Sequence, residues 1–145
     1  MISIWVWLTT AIIVLLWLPW LTLVYIATAG SDPGRYTVGR WFRRCAMATV
    51  VLNPLWRFTT SGVKIQDPRR PYVAVSNHES FADIFLISHL PWEMKWLSKD
   101  TIFRIPVMGW MMKMAGDISV TRSKRHSRAE AVSYTHLTLP TIYSV

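Results

Sequence analysis

The chain has a single cysteine, Cys45. That excludes an internal disulfide framework and a cysteine-rich metal site, so Cys45 is expected to be a small apolar residue, buried or facing lipid. Acid is scarce too, with eight Asp and Glu against sixteen Lys and Arg. From Ile2 to Ala29 no side chain is charged, and the first acid is Asp32. No helix-turn-helix, zinc or RNP-type motif accompanies the basic excess, and the basic residues cluster beside apolar ones. Nucleic acid is therefore not the expected partner. Membrane phosphates and phosphorylated ligands fit such a charge balance better. His89 and His126 lack partners at metal-ligand spacing, and neither a metal nor a cofactor is expected.

What is present is a long apolar run. Residues 1–30 exceed the roughly 20 apolar residues that cross a bilayer core, which predicts a transmembrane anchor. Trp5 and Trp7 near one end, and Trp17 and Trp20 towards the other, suit the headgroup level. Pro19 is expected to kink the helix without ending it. Arg35, Arg40, Arg43 and Arg44 follow the run and nothing basic precedes it, which places the C-terminal side in the cytoplasm. The expected location is the inner membrane, with the part after the anchor facing the cytoplasm. A cleavable signal peptide ending near Ala27-Thr28-Ala29 is the alternative, but the basic n-region is missing and the run is too long.

Residues 31–61 form a second unit. Val38, Trp41, Phe42 and Cys45 share one helical face, with Arg40, Arg43 and Arg44 between them, which predicts a basic amphipathic helix in the plane of the membrane interface. A core-facing helix is the alternative.

From residue 62 to about 130 the pattern changes. Val63 and Ile65 alternate with polar neighbours as in a strand, and residues 67–71 read as a turn. Tyr72-Val73-Ala74-Val75 predicts a short buried strand. Phe81 to about His89 predicts a helix stopped before Pro91, and Trp92 to Leu97 another strand. Pro106 and Gly116 bracket a methionine-rich helix, whose flexible apolar residues suit core packing or the lining of an apolar site. Ile118 and Val120 belong to one more strand. The alternation implies an α/β fold.

Between the second of these strands and the following helix lies Asn77-His78-Glu79-Ser80-Phe81-Ala82-Asp83. At ideal helical spacing the His78 and Asp83 side chains would point about 140° apart. Ser80-x-x-Asp83, however, has the spacing of a capping box, which starts the helix at Ser80 and leaves His78 in the loop before it. From spacing alone, a helix-capping Asp83 and an exposed loop histidine explain the same residues.

This string resembles the first signature block of the 1-acyl-glycerol-3-phosphate acyltransferase family. Lys99 to Trp110, followed by Gly116-Asp117-Ile118-Ser119-Val120-Thr121-Arg122, is similar to its second block. The resemblance implies that the chain is the front part of an α/β glycerolipid acyltransferase domain, preceded by a transmembrane helix and an amphipathic helix. It implies that His78 is the general base on the free hydroxyl of 1-acyl-glycerol-3-phosphate, with Asp83 orienting it. Acyl-CoA or acyl carrier protein would be the acyl donor, so the partners are lysophosphatidate, the donor and membrane lipids. Arg122 would bind the substrate phosphate and Gly116 would let the backbone approach it. Asn77 and Ser80 belong to the same substrate-binding turn.

The family's third block, of Glu-Gly-Thr-Arg type, does not follow, so the resemblance stops after the second motif. Ser127-x-x-Glu130 opens what reads as a further helix. Residues 131–145 instead match the translation of a transposon-type sequencing adapter: GTC TCT TAT ACA CAT CTG ACG CTG CCG ACG gives Val132 to Thr141. They are expected to be an assembly artefact that packs poorly.

Overall fold

A computed structural model describes residues 2–53, 56–63, 65–67, 70, 72–77 and 79–121. Residues 131–145 lie outside this set.

Helix α1 spans Ile2–Thr28 and contains Pro19 without a break. It is apolar on every side, a pattern that belongs to a helix covered by protein or by lipid. Here both apply. Ile13, Leu21 and Val24 are buried in the core, with Trp17 packed against it. Trp5, Leu8, Ile12, Leu15, Leu16, Leu23 and Ile26 remain exposed. The helix is long and apolar enough to cross a membrane.

Helix α2, Tyr36–Val51, packs on α1 and turns Val38, Cys45 and Val50 inward. Its expected apolar face is therefore covered by protein, with Trp41 and Phe42 half-buried beside the core. Burial pushes the Cys45 thiol up to about 12. Trp17 on α1 donates its ring N–H to the Trp41 carbonyl at 3.0 Å. The start of α2 is held by Asp32, whose carboxylate accepts the Thr37 N–H at 2.6 Å.

The short helix α3, Ala82–Ile87, comes next. Strand β1, Leu97–Lys99, then leads through α4, Asp100–Phe103, and α5, Met108–Ala115, to β2, Ile118–Val120. The two strands pair in parallel, with Leu97 opposite Ile118 and Lys99 opposite Val120. A parallel pair needs a crossover, and α4 with α5 provides it. Met111 on α5 is fully buried between α1 and α2, contributing on the order of 1.5–3 kcal/mol. The core methionine reading thus fits Met111 and Met112, both buried. Gly116 adopts φ +79° as the left-handed cap of α5, which suits a residue without a Cβ.

A buried charge cluster joins these helices to the strands. Arg43 on α2 donates to Asp117 at 2.6 Å and to the Met94 carbonyl at 2.9 Å. Asp117 also accepts the Trp96 N–H at 3.0 Å. Lys95 donates to the carbonyls of Arg35 at 2.9 Å and Ala115 at 2.7 Å, and to Glu93 at 3.0 Å. Burial raises the pKa of Asp117 and lowers that of Arg43, against their mutual attraction. Burial likewise raises Glu93, opposed by Lys95.

Three strand expectations are corrected. Val63 and Ile65 form no strand, and Val63 is 97% exposed. Tyr72–Val75 is neither a strand nor buried; Val73 is 80% and Val75 91% exposed. A strand needs a ladder of partners, and the sheet among the described residues consists of β1 and β2 alone. The strand expected over Trp92–Leu97 instead begins at Leu97, because Arg43 and Asp117 occupy the Met94 carbonyl and the Trp96 N–H.

Candidate active site

The first block folds as a turn closed by its acid. One Asp83 carboxylate oxygen, Oδ2, accepts the backbone N–H of Glu79 and of Ser80, each at 2.8 Å. Ser80 Oγ accepts the Ala82 N–H at 3.2 Å. The carboxylate half of the capping box is thus made, while the serine half is shifted one residue back. This is why α3 begins at Ala82 instead of Phe81. At the other end His89 Nδ1 lies 2.8 Å from the Phe85 carbonyl, the expected helix-end role.

Asp83 is half-buried, while Asn77, Glu79 and Ser80 are exposed. The Asp83 carboxylate is therefore oriented by backbone at the mouth of a solvent-open turn. His78 and Arg122 lie outside the described residues. Gly116 is not part of this turn: a Cβ there would meet the side chains of Arg35 and Lys95 at 3.4–3.6 Å. It sits beside the start of α2, whereas the Asp83 turn lies near the opposite end of the α1–α2 pair, where α3 faces the first turns of α1. Among the described residues no group of His, Cys, Asp and Glu could hold a metal ion.

Pattern reading missed an apolar cleft of about 380 Å³ next to Asp83. It lies between Val6, Trp7 and Thr10 of α1, Trp56, and Phe81, Ala82 and Phe85 around α3. Phe81 and Phe85 meet edge to face at 5.5 Å, and Phe85 tilts against Trp56 at 5.3 Å. The available signal was their i, i+4 spacing. What could not be read was that α1 would form the opposite wall.

A carboxylate set in the first turn of a helix after Asn77, with an apolar cleft beside it, is an arrangement suited to chemistry on an amphiphile. The family model described as Acyltransferase matches residues 57–141. The chain belongs to the acyltransferase family. The match takes in the Asp83 turn, the cleft residues Phe81 and Phe85, and both strands. A 1-acyl-sn-glycerol-3-phosphate acyltransferase of Chlamydomonas reinhardtii is 35% identical over 80 residues, covering 54% of this chain and 24% of that protein. A chloroplastic enzyme of the same name from Arabidopsis thaliana is 33% identical over 86 residues, 59% of this chain and 24% of the relative. A lyso-ornithine lipid O-acyltransferase of Pseudomonas aeruginosa is 31% identical over 103 residues, 68% of this chain and 36% of the relative. The chain thus spans about a quarter of the length of the first two relatives. No solved structure matches it.

Proposed function

We propose that this acyltransferase moves a fatty acyl chain from acyl-CoA or acyl carrier protein to 1-acyl-glycerol-3-phosphate, forming phosphatidate at the membrane. The observation that carries the reading is the Asp83 carboxylate, held at the mouth of its turn by the Glu79 and Ser80 amides. His78, in the same block, takes the proton of the acceptor hydroxyl as its oxygen attacks the thioester carbonyl. The C–S bond then breaks, and the thiolate leaves and is protonated. Asp83 orients the imidazole and favours its cationic form, as the acid does in serine-protease triads. General-base help of this kind contributes about 10²–10⁴ in rate. Arg122 grips the acceptor phosphate, for which a guanidinium offers a bidentate fit. Gly116, at the far end of the α1–α2 pair, keeps only its role as the cap of α5, and Asn77 and Ser80 shape the turn. The cleft between α1 and α3 takes an acyl chain.

The exposed flank of α1 holds the protein to the bilayer, with the catalytic part on the cytoplasmic side. Head elements touch α1 near both ends, at Thr22 through Met114 and at Val6 and Thr10 across the cleft. A cysteine placed at position 3, with Cys45 replaced, tests the orientation. Labelling only from the non-cytoplasmic side supports a spanning α1; labelling only from the cytoplasmic side refutes it.

The decisive experiment uses a chain extended to the length of its relatives. There His78→Ala abolishes transfer while membrane attachment is retained; persisting transfer removes His78 from the mechanism. The 145-residue chain alone is expected to show little or no transfer. The match to a lyso-ornithine lipid O-acyltransferase reaches over more of this chain than the others quoted and favours a second reading, in which the acceptor is a different lysolipid hydroxyl. Assaying both acceptors with the same extended enzyme separates the two.

A further inference from the structure

The cations of the connection and α2 divide into two groups. Arg35 and Arg43 are spent inside the protein: Arg35 donates to the Lys113 carbonyl at 2.6 Å, and Arg43 pairs with Asp117. Arg40 and Arg44 are exposed, and neither makes a hydrogen bond or ion pair with any described residue. They stand four residues apart on α2, and so on one face. Arg44 nevertheless has a fixed seat. Its guanidinium lies 4.5 Å from the centroid of the Trp41 ring. Trp41 in turn meets Trp20 edge to face at 5.3 Å and Trp17 at 6.4 Å. Trp20 belongs to α1 and is itself exposed. An aromatic bridge thus leads from the apolar flank of α1 to a guanidinium that makes no hydrogen bond or ion pair with any described residue.

We propose that Arg40 and Arg44 form a binding site for the phosphate of an anionic phospholipid in the surrounding membrane. The inference rests on the membrane attachment argued above and is independent of acyl transfer. A guanidinium seated over a ring face keeps the N–H donors in its own plane available, which suits the oxygens of a phosphodiester. Tryptophan is the side chain that tolerates the headgroup layer, with one side apolar and the other wet. The bridge therefore sets the level of that layer at Trp20, and α2 meets it with two unspent cations. A solvated charge pair would need no aromatic seat and no neighbouring lipid-exposed flank.

The test embeds the 145-residue chain in phosphatidylcholine nanodiscs containing a minority of phosphatidylglycerol. Spin-labelled versions of each lipid report which one lies against the protein. The wild-type chain enriches phosphatidylglycerol, by on the order of five-fold per arginine. Arg40→Gln/Arg44→Gln falls to near parity, while Arg104→Gln, an exposed head residue, leaves the preference intact. Arg44→Lys keeps the charge but loses the planar, bidentate donor fork, and the preference falls without vanishing. An unchanged preference in the double glutamine variant overturns the site. A preference in Arg44→Lys equal to wild type reduces it to plain surface charge and overturns it as well. Loss of the preference on adding soluble glycerol 1-phosphate assigns the arginines to a free phosphate ligand instead. Failure of the wild-type chain to enter the nanodisc at all refutes the membrane reading itself, a distinct outcome.

Discussion

Two regions of this acyltransferase-family chain treat their polar and apolar groups in opposite ways. Where α1, α2 and α5 meet the strands, charges are buried and answered across long stretches of sequence, Arg43 by Asp117 and Lys95 by the Arg35 and Ala115 carbonyls. From Trp56 to the Asp83 turn, strongly apolar residues stand in the open, with Val63, Val73 and Val75 at 97, 80 and 91% exposure. The first region pairs its charges within the described residues, although Arg43 Nε, Asp117 Oδ2 and Trp96 Nε1 are buried without a hydrogen-bond partner there. In the second, β-branched sequence is present without, among the described residues, the neighbouring strands that would make it a strand. Propensity describes a fit to a pleated surface, and it gives no sheet where that surface is missing.

The largest effect should come from breaking the first region. Arg43→Met leaves Asp117 buried without its paired cation, only the Lys95 ammonium still acting on it, which is expected to cost roughly 3–5 kcal/mol. Thermal unfolding in detergent, followed by tryptophan fluorescence, measures it. The double variant Arg43→Met/Asp117→Leu should recover much of the loss, since a packed apolar pair can replace a buried ion pair. A single-variant loss under about 1 kcal/mol, well short of the range for an uncompensated buried charge, would mean that the junction is solvated, and the contrast would fail.

The boundary between the regions is the Asp83 turn, and its disruption should cost less. Asp83→Ala removes the acceptor of the Glu79 and Ser80 amides, worth about 1 kcal/mol for a helix cap. Hydrogen exchange should accelerate at those two amides and through α3 while α5 stays protected. Equal acceleration in α5 would show that the two regions unfold as one unit.

How much of this was legible in the sequence follows the same divide. The punctuation of α5 by Pro106 and Gly116, the strand at Ile118 and Val120, the apolar helix and the Asp83 cap were all readable, because each rests on residues a few positions apart. Arg43 was read as part of a basic face, yet its partner lies 74 residues away, and no local pattern marks one arginine of three for burial. The cleft beside Asp83 was hidden for the same reason, its walls coming from residues 6–10 and 81–85. Tyr72–Val75 misled in the other direction, since its local pattern was right for a strand and its surroundings were not.

A smaller effect concerns pH. Partial burial raises the Asp32 carboxyl, but hydrogen bonds from the Thr37 and Tyr36 amides more than offset this, and its pKa falls below 3.8. A group lowered in the folded state stabilises fully above its unfolded pKa and loses that contribution as pH falls through the folded one. The start of α2 should therefore loosen on acidification between about pH 5 and pH 2. Asp32→Asn, which can still accept the Thr37 N–H, should lack that step. Circular dichroism of the two chains across the range makes the comparison, and identical acid profiles would remove Asp32 from the account.

The smallest expected change is the most informative about the open region. Val75→Thr preserves shape and adds a hydroxyl, so at a position already in water it should alter stability by less than about 0.5 kcal/mol. Val120→Thr, half-buried in β2 opposite Lys99, should cost more, since a hydroxyl there loses solvent. Repeating Val75→Thr in a chain extended to its relatives' length turns the pair into a test of what Tyr72–Val75 is. If added sequence supplies neighbouring strands, the cost at position 75 should rise to match or exceed that at 120, and the segment would be a strand awaiting its sheet. If it stays near zero there, Tyr72–Val75 is a surface segment in its own right, and the Asp83 turn is approached by a loop instead of by a strand.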